Sequence, residues 1–168
     1  MRRPEIFACA KELRQNYPNA KLGVVGYCFG GWSGLELGSR NHSTTPPPAP
    51  PEHSAQSETS QRYLIDCLCI AHPALVTEDN LRNVAVPTLI IAPEHDNPFN
   101  PALKRFANET IPANGVPYCY AFFPGVEHRF ASQPDLESVE GGEAVQALWK
   151  RSFERAQMQI VNWLNVFL

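Results

Sequence analysis

Three residues of this chain have side chains suited to nucleophilic catalysis, and they occur in the order cysteine, aspartate, histidine. Cys28 lies in the stretch GYCFGG, Asp96 in PEHDNP and His128 in PGVEHRF. A cysteine between flanking glycines, after an apolar run and before a helical pattern, is typical of a sharp strand-to-helix turn that exposes a nucleophile. The N-terminus of the following helix favours the reactive thiolate. We predict that His128 serves as the general base and that Asp96 orients its imidazole.

Each of the three residues has a more ordinary interpretation when it is taken alone. A free cysteine beside a glycine-rich turn is usually a small buried apolar residue. Acidic residues after a strand are common in loops, and Glu94 competes with Asp96 for the orienting role. A lone loop histidine is more often solvated. The other four histidines are less suited than His128, because they lie in a Pro/Ser-rich tract, precede a proline or adjoin Asp96; they are His42, His53, His72 and His95.

Two neighbours of Cys28 are further candidates for the site. In a turn of this kind the backbone N–H of the residue after the nucleophile, here Phe29, donates to the oxyanion of the reacting carbonyl. Trp32 lies close to the turn, so its ring is a candidate surface on which a substrate stacks. The alternative for Trp32 is packing of the helix against a sheet, which is the commoner use of such a residue.

The pattern of apolar residues predicts the elements that position these side chains. Apolar runs predict strands at 22–27, 63–71, 86–92 and 118–123, and helical spacing predicts helices at 5–16, 32–39, 78–82, 101–110 and 145–167. Strands that alternate with helices indicate an α/β fold with about four mostly parallel strands and flanking helices. Ligands of such sheets bind beyond the carboxyl ends of the strands. We expect Cys28, Asp96 and His128 to meet at that edge.

Composition and charge exclude several functional classes. The 168 residues include 14 Lys and Arg against 17 Asp and Glu, a net charge of −3, without the basic stripe that binds nucleic acid phosphates. The apolar runs are far shorter than the roughly 20 residues of a membrane helix, and no secretory signal is visible. Five cysteines without a CxxC pair are typical of free thiols, and Cys67 and Cys69 lack the partner spacing of a metal site. We therefore expect a cytoplasmic protein that binds neither nucleic acid, membrane nor metal.

A tract rich in Pro, Ser and Thr interrupts the pattern at about residues 41–62. It has no aliphatic residue larger than alanine, so it cannot bury enough apolar surface to offset its ordering entropy. The patterns on either side are those of successive parts of one α/β unit. We predict one domain over residues 1–168 with a disordered insertion at this tract.

Four stretches form a set: GYCFGG after VVG, IAHPA, PTLIIAPEHD and FPGVEHRFA. Together they resemble the dienelactone hydrolase family of α/β-hydrolases, especially its fungal branch, and the likeness covers residues 4–40 and 63–168. Members of that family cleave small lactones or activated esters with a Cys-Asp-His triad, through a thioester acyl-enzyme and without a cofactor. The resemblance implies that Cys28 is the nucleophile, His128 the base and then the acid, and Asp96 the orienting group.

The chain departs from the family in length. Members have several strands and helices before the nucleophile turn, whereas one predicted helix precedes it here, so the expected fold is the C-terminal half of an α/β-hydrolase. The loop that supplies the second oxyanion N–H belongs to the other half. The strand before Cys28 is then an edge with unpaired backbone groups, which favours self-association.

A second departure concerns the substrate. Bacterial members have an arginine four positions after the histidine that helps to hold a substrate carboxylate, and that position is Ser132 here. This argues against dienelactone itself. Arg129, which directly follows His128, is a candidate for binding an anionic substrate, and its alternative is an ordinary solvated side chain.

Two functions remain as alternatives to the hydrolysis of a small ester or lactone. A catalytically inactive, truncated remnant or interaction module would keep the same residues, and it differs in whether Cys28 reacts. Dinucleotide binding at the glycine-rich turn needs the spacing G-x-G-x-x-G and an acidic residue about twenty positions further on. The chain has neither feature.

Overall fold

The computed structural model describes residues 3–42, 63–132 and 139–168, and the described residues form a four-stranded sheet. The strands are β1 (Gly23–Tyr27), β2 (Cys67–Ala71), β3 (Thr88–His95) and β4 (Tyr118–Glu127). They lie in the order β1-β2-β3-β4, and each neighbouring pair is parallel. The predicted parallel α/β sheet is confirmed, and β1 is an edge of the sheet in the described part of the chain.

Helices flank this sheet on both faces. They are α1 (Arg3–Asn16), α2 (Phe29–Leu37), α3 (Glu78–Arg82), α4 (Pro101–Ala113) and α5 (Gly142–Phe167), with a 3-10 turn at Arg40–His42. Of the helices in the described residues, none combines the length and the apolar character needed to cross a membrane.

The alternation of side chains along β2 separates two layers of core. Leu68 and Ile70 belong to the cluster that includes buried residues of α1, α2, α3 and α4. Cys69 and Ala71 belong to the cluster that includes buried residues of α5. Every residue of β2 is buried, because helices cover both faces of the sheet. This explains why β2 is a short apolar run in the sequence, without polar residues at alternate positions.

Two strands extend beyond their predicted ends, and this changes the path to the site. β3 continues to His95, so that Asp96 follows the strand at once. β4 runs on through Pro124 and Gly125 to Glu127, where the sequence predicts a turn. The pairing of the two strands shifts register at this point. A proline is tolerated there because it lies on an edge strand at an irregularity of the ladder, where its missing N–H is not needed.

Other boundaries differ by a few residues. α2 begins at Phe29, three residues before its predicted start, and β2 begins at Cys67 because residues 63–66 have bent, irregular backbone. The predicted insertion lies mostly outside the described residues, which exclude 43–62. Its first two residues, Asn41 and His42, complete the 3-10 turn.

Candidate active site

Cys28 occupies the turn between β1 and α2, directly before the first residue of the helix. Its backbone torsion angles, φ 53° and ψ −116°, lie in a region that residues other than glycine rarely adopt. Three backbone hydrogen bonds hold this conformation. Cys28 N–H donates to Ala71 O at 3.1 Å, and Cys28 O accepts from Ala74 N–H at 2.9 Å and from Gly31 N–H at 3.0 Å. The stretch GYCFGG therefore forms the strained strand-to-helix turn that its glycines predict.

This turn requires a glycine at position 26. A Cβ atom there would lie 2.2 Å from Gly30 O, far inside the contact distance of a carbon and an oxygen. At Gly30 itself, a Cβ atom would meet nothing within 4 Å. The close approach of β1 to the first turn of α2 thus depends on Gly26, and Gly30 is free of that constraint.

The side chains of Cys28, His128 and Asp96 form a continuous row of contacts. His128 Nε2 lies 3.2 Å from Cys28 Sγ, and His128 Nδ1 lies 2.9 Å from Asp96 Oδ1. One ring nitrogen is therefore placed to exchange a proton with the sulfur, while the other is held by the carboxylate. The fold brings together the three residues selected from the sequence, across separations of 100 and 32 residues.

The carboxylate of Asp96 is enclosed and held by its own loop. Oδ1 also accepts a hydrogen bond from Phe99 N–H at 3.1 Å, and Oδ2 is buried without a hydrogen-bond partner among the described residues. The competing acid, Glu94, has a different contact: its Oε2 accepts from Gly125 N–H at 2.8 Å. Asp96 is therefore the acid that contacts His128.

Lys104 on α4 holds the end of β3. Its ammonium group is buried and donates to Pro93 O at 2.5 Å and to Glu94 O at 2.9 Å. Burial lowers the pKa of Lys104, while the nearby charges of Asp96 and Glu94 act in the opposite direction. A lysine within a helical pattern ordinarily indicates a solvated side chain, so sequence reasoning misses this contact.

The aromatic residues beside the nucleophile, Phe29 and Trp32, pack against each other. Trp32 is only 6% exposed, so its ring is covered and offers little surface on which a substrate stacks. The Phe29 ring packs against it, with ring centroids 5.4 Å apart, and is 43% exposed. Phe29 also begins α2, so its backbone N–H has no acceptor within the helix and carries part of the positive end of the helix dipole.

A cleft of about 350 Å³ opens beside His128 and is lined also by His95, Asn97, Pro98 and Glu127. Its volume lies at the lower end of the range of small-molecule sites. Arg129 directly follows His128, with an exposed side chain and a left-handed backbone, φ 82°.

His72 is a neighbour of the site that sequence reasoning passes over. Its ring is fully buried and meets the His128 ring edge to face, with centroids 4.9 Å apart. Burial lowers the pKa of His72 to about 4, and the positive charges of His128 and Arg129 act in the same direction. The available signal is a polar residue directly after a buried strand, in the stretch IAHPA, at the same sheet edge as Cys28.

The remaining buried cysteines are not arranged for chemistry. Burial raises the pKa of Cys67 to about 11 and that of Cys69 to about 12, so both stay protonated near neutral pH. Within the three described ranges, no three His, Cys, Asp or Glu side chains are grouped so that they could hold a metal ion.

A parallel sheet flanked by helices, with a strained cysteine turn after one strand, defines an α/β-hydrolase fold. The sequence profile of the dienelactone hydrolase family matches residues 5–165, and the chain belongs to that hydrolase family.

Two curated relatives are similar over nearly the whole chain. Hydrolase tropI of Talaromyces stipitatus is 29% identical over 98% of this chain and 53% of its own length. Hydrolase pyvD of Aspergillus violaceofuscus is 30% identical over 98% of this chain and 55% of its own length. The chain therefore spans about half the length of the curated relatives it matches.

Solved structures show the same fold at low sequence identity. A dienelactone hydrolase-like promiscuous phosphotriesterase from metagenomic libraries has a TM-score of 0.61 at 12% identity, over 99% of this chain and 64% of its own. Esterase 2 of Thermogutta terrifontis has a TM-score of 0.58 at 14% identity, over 94% of this chain and 62% of its own.

Proposed function

We propose that this chain hydrolyses small carboxylic esters or lactones through an acyl-enzyme, with Cys28 as nucleophile, His128 as base and then acid, and Asp96 as the orienting group. The observation that carries the proposal is the row of contacts from Cys28 Sγ through the His128 ring to Asp96 Oδ1, at 3.2 Å and 2.9 Å. Membership of the dienelactone hydrolase family supports it. Because the chain spans about half of its curated relatives, the proposal concerns what this segment does by itself.

The first half of the reaction transfers the acyl group to sulfur. His128 Nε2 takes the proton of Cys28, and the thiolate attacks the carbonyl carbon, so that a C–S bond forms and the carbonyl oxygen becomes an oxyanion. The Phe29 N–H donates to this oxyanion. When the intermediate collapses, the C–O bond breaks and His128 returns its proton to the leaving alkoxide.

The second half releases the acid. His128 takes a proton from water, the resulting hydroxide attacks the thioester carbon, and the C–S bond breaks. The Cys28 thiolate recovers its proton from the imidazolium. Asp96 keeps the Nδ1–H tautomer of His128 in place during both halves and stabilises the imidazolium that forms. An ester yields an acid and an alcohol, and a lactone yields one hydroxy acid.

The surroundings of the His128 base favour a small substrate. The cleft of about 350 Å³ lies on the side of His128 that is lined by His95, Asn97, Pro98 and Glu127, and this volume suits a compact acyl group or lactone ring. The exposed Phe29 ring offers an apolar surface on the nucleophile's side. The exposed Arg129, directly after His128, is the candidate for contact with an anionic group of the substrate.

The proposal is tested by acylation of the purified chain with p-nitrophenyl acetate, followed by intact-mass analysis and peptide mapping. The exposed thiols Cys9 and Cys119 are first replaced by serine, so that surface acylation does not obscure the result. We expect one acetyl group on Cys28 of the folded protein. Protein that is unfolded in urea before it meets the ester should not be labelled selectively at Cys28. Cys28→Ala abolishes turnover, and Cys28→Ser leaves a slow remnant, since a hydroxyl is a weaker nucleophile than a thiolate.

The same experiment tests the alternative of an inactive remnant. His128→Ala keeps the thiol and removes the base, so it serves as the matched control for acylation that depends on the row of contacts. If folded protein is acylated no faster than this variant, the hydrolase proposal is wrong and the remnant is favoured. If turnover survives in Cys28→Ala, Cys28 is not the nucleophile and the proposed mechanism is wrong.

A further inference from the structure

One four-residue segment touches both the nucleophile and its base. We call Ala71, His72, Pro73 and Ala74 the β2 turn, since it consists of the last residue of β2 and the three residues that follow. Its ends clamp the backbone of Cys28: Ala71 O accepts from Cys28 N–H at 3.1 Å, and Ala74 N–H donates to Cys28 O at 2.9 Å. The strained conformation of the nucleophile is thus held by backbone groups on either side of His72.

The middle of the β2 turn fixes the start of α2. A Cβ atom at Gly31 would lie 2.5 Å from Pro73 Cβ and 2.9 Å from Pro73 Cα, so the two residues are in close contact. Because proline has a fixed φ, this contact is made by a stiff part of the chain. The start of α2, whose first residue is Phe29, therefore packs closely against the β2 turn.

The His72 side chain completes the arrangement on the other side. Its ring is fully buried and meets the His128 ring at an angle of 65°, with centroids 4.9 Å apart. Tyr27 and Phe130 lie on the remaining sides, at centroid distances of 6.0 Å and 6.1 Å. Neither ring nitrogen of His72 has a hydrogen-bond partner among the described residues. Ring packing is therefore the contact that this side chain makes with the site.

The conformation of His72 has a cost that points to a role. Its φ of 38° is in the left-handed region, where a residue other than glycine is strained, and such strain is concentrated at functional sites. Burial of two unpaired ring nitrogens adds to that cost. The low pKa of His72 keeps the ring uncharged near neutral pH, so that it does not repel an imidazolium at His128.

We propose that the β2 turn positions the nucleophile and the base relative to each other, and that His72 is the positioning residue, whose ring holds the His128 imidazole against Cys28. The inference rests on the proposed function. It deepens that function by naming a residue that controls the distance between sulfur and imidazole. The shape of the ring performs this task, and its nitrogens do not.

The test measures the rate at which iodoacetamide alkylates Cys28 between about pH 5 and pH 9, since alkylation reports the thiolate that His128 promotes and needs no ester substrate. The chain lacking Cys9 and Cys119 is again the background. His72→Phe keeps a flat ring, whereas His72→Ala and His72→Leu remove it, and the leucine variant fills most of the volume. His42→Ala is the control for the loss of an imidazole elsewhere in the fold, because the His42 ring packs against Phe7 of α1.

We expect His72→Phe and His42→Ala to alkylate at near the parent rate, and His72→Ala and His72→Leu to be slower at neutral pH by roughly tenfold, because small misplacements of reacting groups reduce rates strongly. Near-UV circular dichroism and thermal melting identify which variants are folded, and the leucine variant gives the result if the alanine variant is not. The inference is wrong if a folded ring-less variant is alkylated as fast as the parent. It is also wrong if folded His72→Phe is alkylated as slowly as the ring-less variants.

His128→Ala separates the proposed function from the role of His72. If the parent alkylates no faster than His128→Ala, the contact between Cys28 and His128 does not activate the thiol, and both the proposed function and the inference fail. If the parent is alkylated faster than His128→Ala but at the same rate as a folded ring-less variant, the proposed function stands and only the role of His72 is wrong.

Discussion

The Tyr27 hydroxyl donates a hydrogen bond to Gln157 Oε1 at 3.1 Å, which joins the residue before the nucleophile to α5. The other end of the same amide, Nε2, donates to Ala131 O at 2.8 Å, three residues after His128. One side chain therefore braces the nucleophile turn and the histidine loop together.

Replacing Gln157 by leucine removes both hydrogen bonds at similar volume. We expect the free energy of unfolding to fall by about 1–2 kcal/mol, because the partly buried partners lose their hydrogen bonds, and acylation of Cys28 to slow. Tyr27→Phe is the matched control, since it removes one bond and leaves the bond to Ala131. Urea unfolding and the acetylation rate measure the two effects. A leucine variant indistinguishable from the parent in both would contradict the bracing role.

Replacing Lys104 by methionine removes the ammonium group that donates to Pro93 O and Glu94 O, near the end of β3. We expect a loss of about 1–3 kcal/mol in stability, because Pro93 O and Glu94 O are left without this donor. Alkylation of Cys28 should also slow as the Asp96 loop loosens. Lys150→Met, at an exposed position of α5, should change stability by less than about 0.5 kcal/mol. Similar urea midpoints for the two variants would show that the buried contact is unimportant.

Stability should depend on pH through His72. Its pKa falls from 6.5 to about 4 on folding, so between these values the unfolded chain binds a proton that the folded chain does not. The free energy of unfolding therefore decreases as the pH drops from about 6.5 towards 4, by up to about 3 kcal/mol.

His72→Phe removes this group and should flatten the acid side of the curve, which urea unfolding at a series of pH values measures. His42→Ala serves as the control for the loss of an imidazole at a partly exposed position outside the site. An unchanged slope in the phenylalanine variant would mean that other groups cause the acid sensitivity.

The glycines at positions 26 and 30 should respond in opposite ways to alanine. Gly26→Ala places a Cβ against Gly30 O, so we expect a loss of more than about 3 kcal/mol and no activated thiol. Gly30→Ala meets open space within α2 and should stabilise the chain by roughly 0.5–1 kcal/mol, because alanine is the better helix former. Thermal melting of both variants tests this. A tolerated alanine at position 26 would show that the turn is looser than its geometry indicates.

The sequence predicts the parts of this fold whose signals are local. Flanking glycines mark the turn at Cys28, and uninterrupted apolar runs mark β2 and β3, because strands covered on both faces have no polar alternation. The order of cysteine, aspartate and histidine after successive strands then predicts that their side chains meet, since parallel strands share one carboxyl edge.

The parts that the sequence does not predict depend on contacts between distant residues. Pro124 and Gly125 are a turn signal, yet β4 continues through them because Glu94 supplies an acceptor for Gly125 N–H. Lys104 and His72 have polar side chains, and their burial follows from the packing of α4 on β3 and of the β2 turn on His128. The secondary-structure propensity of a single residue is a local property and does not indicate contacts with residues distant in the sequence.

The acid and the base are carried by two adjacent, bonded strands, and His128 N–H donates to His95 O at 3.0 Å. Cys28 follows β1, which is separated from β3 by β2. Asp96 and His128 are thus joined by direct strand pairing, whereas Cys28 is joined to them through β2, the β2 turn and Gln157. We therefore expect twisting of the sheet across β2 to change the distance between sulfur and imidazole more than the distance between imidazole and carboxylate. As this chain is warmed, it should lose proton transfer from the thiol before it loses the orientation of its histidine.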